Sequence, residues 1–200
     1  MGKNLPLEEC SIRDIYMNEG DAKTFVIPIY QRNYAWEYDH IKALINDVYD
    51  SYRKSDSDPY YIGTLVTFHR RESVYEVIDG QQRLTTLFLA LRAMGVTKTV
   101  SRLTYDARRA SDDTLQNLSQ LQGYDGTSDE GIKNGYKYMI EAIADVLGVK
   151  PKGGYSHLEP CKELEGFREY FLNKVKIIHY RVPKDVDLNH YFEVMNSRGE

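Results

Sequence analysis

Val74-Tyr75-Glu76-Val77-Ile78-Asp79-Gly80-Gln81-Gln82-Arg83-Leu84-Thr85-Thr86-Leu87-Phe88-Leu89-Ala90-Leu91 is the stretch that decides how this chain is read. Val74 to Ile78 is a short β-branched and aromatic run of strand length. Asp79-Gly80 ends it. Leu84, Leu87, Phe88 and Leu91 then recur at helical spacing and share one face. A strand that turns straight into a helix sets unpaired N–H groups and a partial positive charge at the end of a sheet. Gly80 lets main chain approach a ligand closely, and the Arg83 guanidinium can fork onto phosphate. These parts together make a phosphate cradle. Gln81 and Gln82 supply neutral donors and acceptors able to orient an attacking water. A carboxylate at Asp79 repels phosphate unless a divalent cation lies between, so Asp79 either helps hold Mg²⁺ or caps the helix. The plain alternative is a capped helix with Arg83 on the surface. Neither GxxxxGK[ST] nor GxGxxG is present.

Upstream, Tyr60 to Phe68 reads as a strand and His69 to Ser73 as a turn, making a hairpin with Val74 to Ile78. Phe25 to Tyr30 reads as a strand with Pro28 at an edge position. Gln31-Arg32-Asn33-Tyr34-Ala35-Trp36 follows, and then a helix striped by Ile41, Leu44, Ile45 and Val48. Arg32 can reach a phosphate, with Gln31 beside it, and Tyr30, Tyr34 or Trp36 can stack on a base. The alternative packs Tyr34 and Trp36 beneath the helix and pairs Arg32 with an acid.

Downstream, Gly95 sits where a C-cap belongs. Helical patterns cover 111–122 and 128–147, the second striped by Ile132, Tyr136, Met139, Ile143 and Leu147 and stopped by Gly148. Lys150 to Ser156 has loop composition. A helix over 161–173 and a strand over 175–182 follow, and Asp187 caps a last helix bearing Leu188, Tyr191, Phe192 and Met195. Asn196 and Arg198 in the closing Asn196-Ser197-Arg198-Gly199 either add polar contacts to the same pocket or form a C-cap turn. Arg70-Arg71 and Arg108-Arg109 read as solvated surface pairs. The order predicts an α+β core interrupted by helices. Residues 1–100 form the first part of that core, 101–174 a helical insert, and 175–200 a returning strand and helix.

The 200 residues suit one domain, with or without a helical extension. A net charge of −4 argues against gripping duplex DNA through many phosphates, whereas one nucleotide needs only a few basic groups. Cys10 and Cys161 form neither a CxxC pair nor a disulfide framework, which suits a reducing cytoplasm. The five histidines show no zinc-type spacing. No apolar run approaches membrane-spanning length, so no membrane partner is expected.

Four motifs in series resemble a known family. Ile27-Pro28-Ile29-Tyr30-Gln31-Arg32-Asn33-Tyr34-Ala35-Trp36 opens it and Tyr61-Ile62-Gly63-Thr64-Leu65-Val66 is its next strand. Val77-Ile78-Asp79-Gly80-Gln81-Gln82-Arg83-Leu84-Thr85-Thr86-Leu87 is its central signature, and Phe192-Glu193-Val194-Met195-Asn196-Ser197-Arg198-Gly199 closes it. The chain resembles the N-terminal domain of GmrSD-type restriction endonucleases over nearly its whole length. That resemblance implies a ParB/sulfiredoxin-like mixed-sheet core whose loop and helix start, at Asp79 to Arg83, approach nucleotide phosphates. It implies NTP binding or hydrolysis that regulates DNA cleavage in defence against phages with modified DNA. It also implies a His-Asn-His nuclease domain, C-terminal or separate. No such motif occurs here, so the chain is expected to be the front part of a longer protein and not to cut DNA alone.

The leading expectation is a Mg²⁺-dependent NTPase module, with a homo-oligomer an open alternative. Asp79, Gln81, Gln82 and Arg83 would carry the chemistry, Asp79 holding the metal. Tyr30, Gln31, Arg32, Gly80, Arg83, Asn196 and Arg198 would bind the nucleotide. A rival is a module without turnover that recognises modified DNA or a partner nuclease. A nuclease in its own right is a third reading, opposed by the acidic balance.

Overall fold

The computed structural model describes residues 7–118, 128–152, 157–184 and 186. The helix expected from Asp187, and with it Asn196 and Arg198, lies outside the described residues. The elements run β1 (Leu7–Ser11), α1 (Ile12–Tyr16), β2 (Thr24–Ile27), α2 (Tyr38–Lys54), β3 (Tyr60–Arg71), β4 (Val74–Asp79) and α3 (Gln81–Ala93). They continue with β5 (Arg102–Tyr105), α4 (Arg109–Gln116), α5 (Glu130–Leu147), β6 (Pro151–Lys152), β7 (His157–Leu158), α6 (Lys162–Lys174) and β8 (Val175–Val182).

Six strands form one mixed sheet in the order β1-β8-β3-β4-β2-β5. β8 lies between β1, its antiparallel partner, and β3, its parallel one, so the last described strand ties the first to the hairpin. β3 and β4 pair antiparallel, while β2 runs parallel to both β4 and β5. The α+β expectation with a mixed-sheet core holds. The stretch read as wholly helical also carries β5, which extends the sheet at its edge. The expected first strand is shorter than read. β2 stops at Ile27 because Pro28 has no N–H for a ladder, and Ile29 and Tyr30 belong to the loop that follows.

Alternation along the strands divides the sheet faces. Phe25, Ile27, Leu65, Val77, Leu103 and Ile177 belong to one large core with the helices, whereas Val66, Ile78 and Val182 make a small cluster of their own. α5 packs on α2 and α3, and α6 on α1 and α2. Asp129 caps α5 by accepting from the Ile132 N–H at 3.1 Å, and Gly148 ends it at φ +64°. α3 departs from the one-faced helix its leucines suggest, since Thr85, Thr86, Leu89 and Ala90 are buried as well. Buried polar groups need partners, and these have them. Tyr16 donates to the Leu84 carbonyl at 2.8 Å, Thr85 pairs with the Tyr105 hydroxyl at 2.9 Å, and Thr86 donates to the Gln82 carbonyl at 2.8 Å.

Candidate functional site

α3 starts where β4 ends, with Gly80 at the N-cap. Gly80 has φ +93° and, with no side chain, makes no side-chain cap bond. Asp79 therefore does not cap the helix. Its carboxylate instead lies 3.4 Å from Arg83 Nη2. The first main-chain bond of α3 runs from the Leu84 N–H to the Gly80 carbonyl at 2.9 Å, and no acidic residue stands in the first turn. The amides of Gln81, Gln82 and Arg83 thus meet no capping side chain among the described residues, and the positive end of the helix dipole lies there. Gly80 is required twice over. Its φ suits glycine alone, and a Cβ would stand 2.8 Å from the Thr64 carbonyl oxygen and 3.2 Å from Leu65 Cα.

This helix start opens into a pocket of about 240 Å³. Asp79, Gly80, Gln81, Gln82 and Arg83 form one wall, and Gln31, Arg32 and Trp36 the other. The two sequence clusters that each carried an arginine therefore meet across one cavity. Arg32 is exposed and has no ion-pair partner among the described residues. Arg83 lies lower, its side chain 29% exposed. Its Nη2 donates to the Thr64 carbonyl at 2.9 Å, and its Nε is buried with no partner among the described residues. It rests on Gly63, where φ is +114° and a Cβ would come within 3.4 Å of Nη1. Backbone between two cations and a bare helix start suits an anion.

A family model described as GmrSD restriction endonuclease, N-terminal domain, matches residues 12–200, a span that takes in every residue of the pocket. The chain belongs to this family. It is thus a domain of a restriction endonuclease system. No curated protein matches it.

In this GmrSD N-terminal domain the glutamines of the central signature are engaged with main chain. Gln81 is 3% exposed and donates through Nε2 to the Arg32 carbonyl at 2.8 Å. Gln82 donates to the Asn33 carbonyl and accepts from the Ala35 N–H, both at 2.9 Å. Gln31 donates to the Ile78 carbonyl at 2.7 Å. A segment without secondary structure that lies against the fold needs partners for its peptide groups, and a primary amide offers donor and acceptor in one plane. Here the glutamines latch the Arg32 loop onto α3; in this arrangement they hold peptide groups where a water-orienting role was expected.

Arg108 does the same from the far side. Its Nη2 donates to the Ile29 carbonyl at 2.9 Å and to the Gln31 carbonyl, and Nη1 reaches the Arg32 carbonyl at 3.4 Å. It is a clamp, not the solvated surface residue that the Arg108-Arg109 pair suggests. Arg70 is likewise paired, through Nε to Glu76 at 2.6 Å and Nη1 to Asp106 at 3.3 Å. Sequence reasoning missed Gly63 and Arg108 as parts of the site. A glycine inside a strand pattern does signal a bulge or a close approach, and the β3–β8 register shifts between Tyr61 and Thr64. Arg108 gives no comparable signal.

The aromatic residues separate. Tyr34 is 2% exposed, bonds Thr86 through its hydroxyl at 2.9 Å, and lies against Gly135 of α5. Burial pushes its phenol well above the ordinary range. Tyr30 does not line the pocket, and its hydroxyl donates to Glu76 at 2.6 Å. Trp36 is half-buried and borders both the pocket and a neighbouring hollow of about 430 Å³ that includes Tyr38 and Tyr138. A larger cavity than the pocket, about 310 Å³ and lined in part by Arg92, Met94, Gly95 and Arg168, lies at the other end of α3 and shares no residue with this site. Among the described residues no helix is long and apolar enough to cross a membrane.

Proposed function

We propose that this domain binds a nucleoside triphosphate by its phosphates and hydrolyses it slowly to regulate DNA cleavage by a His-Asn-His nuclease domain. The observation that carries the proposal is the pairing of Arg32 and Arg83 across a pocket floored by the uncapped start of α3. At about 240 Å³ the pocket is smaller than the roughly 300–1,000 Å³ of sites that enclose a drug-sized ligand. It fits a phosphate chain and leaves the base outside. Trp36, on the ridge between pocket and hollow, is the surface on which a base would stack.

Each residue then has a task. The amides of Gln81 to Arg83 and the free donors of Arg32 and Arg83 neutralise phosphate oxygens, more strongly as charge gathers in the transition state. Gln81, Gln82 and Arg108 keep Arg32 in place. Asp79 is half exposed beside the pocket, and one carboxylate with phosphates and water is a usual Mg²⁺ donor set. When bound, Mg²⁺ would supply charge neutralisation between phosphates. Asp79 can also accept the proton of an attacking water.

A second reading, binding without turnover, has its own support. The two glutamines expected to position water already hold main chain, and Asp79, the one carboxylate lining the pocket among the described residues, is paired with Arg83. Such a module would recognise modified DNA or a partner nuclease. Phosphate release from each of the four NTPs by the purified chain with Mg²⁺ separates the two. Turnover that falls at least about tenfold in Asp79→Asn, with binding kept, supports hydrolysis. Tight binding with no phosphate release leaves the binding module standing.

A further inference from the structure

β1 and β8 bring together three residues from opposite ends of the chain. Glu8 stands opposite His179 in the antiparallel register, and Cys10 lies two residues along β1 on the same face. A carboxylate oxygen of Glu8, Sγ of Cys10 and a ring nitrogen of His179 all lie within 4.8 Å of one another. Cys10 is 7% exposed and His179 fully buried, while Glu8 is at the surface.

The histidine supplies the independent observation. Its Nε2 bonds Thr67 Oγ1 at 2.8 Å, but Nδ1 is buried with no partner among the described residues. A buried ring nitrogen without a partner is costly unless something else fills its lone pair. In the tautomer whose Nε2–H donates to Thr67, Nδ1 carries that bare lone pair. A second group that orients the ring through its other nitrogen is the usual support of a metal-bound imidazole.

We propose that Glu8, Cys10 and His179 form a three-ligand site for a divalent ion of the zinc class. Thiolate and imidazole select such an ion over Mg²⁺, which prefers oxygen. Ligand atoms around tetrahedral zinc stand about 3.5 Å apart, from bond lengths of about 2.0–2.3 Å. The cluster thus closes by about 1 Å or slightly more, through small side-chain adjustments of the three ligands. Two cations flank the cluster: Lys23 pairs with Asp21, and Arg181 with one carboxylate oxygen of Glu8. Glu8 has a second oxygen for the metal. Bound there, the ion staples the edge strand β1 to β8. It is separate from the Mg²⁺ of the proposed nucleotide site and shares no residue with that pocket.

Cobalt titration of the chelator-treated chain tests this. We expect one Co²⁺ per chain, a near-ultraviolet thiolate-to-cobalt band, displacement by Zn²⁺, and a thermal midpoint raised by Zn²⁺ but not by Mg²⁺. Cys10→Ser removes the band, and Glu8→Gln, at an exposed position, weakens binding at least about tenfold. Cys161→Ser leaves the band intact, since that thiol caps α6 by accepting from the Leu164 N–H. Circular dichroism identifies any variant that fails to fold, and Glu8→Gln then carries the test. A wild-type chain with no band at one equivalent overturns the site. So does a band that survives Cys10→Ser, or an affinity unchanged in Glu8→Gln.

Discussion

Replacing Gly80 by alanine tests the geometry that opens the pocket. At φ +93° an L-residue costs about 1–2 kcal/mol. The new Cβ would also stand 2.8 Å from the Thr64 carbonyl oxygen and 3.2 Å from Leu65 Cα, both main-chain atoms in β3 that cannot swing aside. Forcing extra volume into a packed site adds about 1–3 kcal/mol, so Gly80→Ala loses about 2–5 kcal/mol in all. Gly95→Ala is the control. Its φ of +82° carries the dihedral cost alone, because nothing lies within 4 Å of a Cβ there. Its loss is about 1–2 kcal/mol. Urea unfolding of both variants, at unchanged m-value, reads the difference. The Thr64 carbonyl also receives Arg83, so Gly80→Ala disturbs ligand binding where Gly95→Ala does not. Equal losses in the two variants would refute the close approach of Gly80 to β3.

Gln82→Ala leaves the Asn33 carbonyl and the Ala35 N–H without their side-chain partner, and should cost about 0.5–1.5 kcal/mol in urea unfolding, with faster amide exchange at Ala35. A Gln82 that acts on water alone would lower turnover and leave stability and exchange as they are. Arg108→Ala frees the carbonyls of Ile29, Gln31 and Arg32, so nucleotide affinity should fall about tenfold although Arg108 is not in the pocket wall. Arg108→Lys does not restore it, because an ammonium lacks the planar fork. Full rescue by lysine would mean that Arg108 acts by charge alone.

Much of the fold was legible in the sequence because periodicity reports burial directly. α2, β4, α5 and β8 follow from their apolar spacing, and Gly148 marks the end of its helix. β1 was not legible, since its partner β8 comes from the other end of the chain and its outward residues are acidic. α3 was read as one-faced because Thr85 and Thr86 look like surface residues. Their hydroxyls are in fact satisfied by Tyr105, Tyr34 and the Gln82 carbonyl, which the sequence cannot show. For the site, Asp79 to Arg83 and Arg32 were found by residue type and place in a strand-turn-helix. What Gln81, Gln82 and Arg108 do was hidden, because each serves peptide groups far away in the chain. The zinc-class cluster escaped a search for histidine spacing for the same reason, as its ligands are joined by strand pairing and not by local sequence.

The central claim is that the start of α3 receives phosphate between Arg32 and Arg83. Titration calorimetry with a nucleoside tri-, di- and monophosphate and with inorganic tripolyphosphate, on wild type, Arg32→Ala and Arg83→Ala, tests it most directly. The account predicts affinity that rises with each phosphate, competition by tripolyphosphate, and a loss of about tenfold to a hundredfold in each variant, from about 1.5–3 kcal/mol per charged hydrogen bond. Affinity indifferent to phosphate number, or folded Arg83→Ala that binds as wild type does, would contradict it.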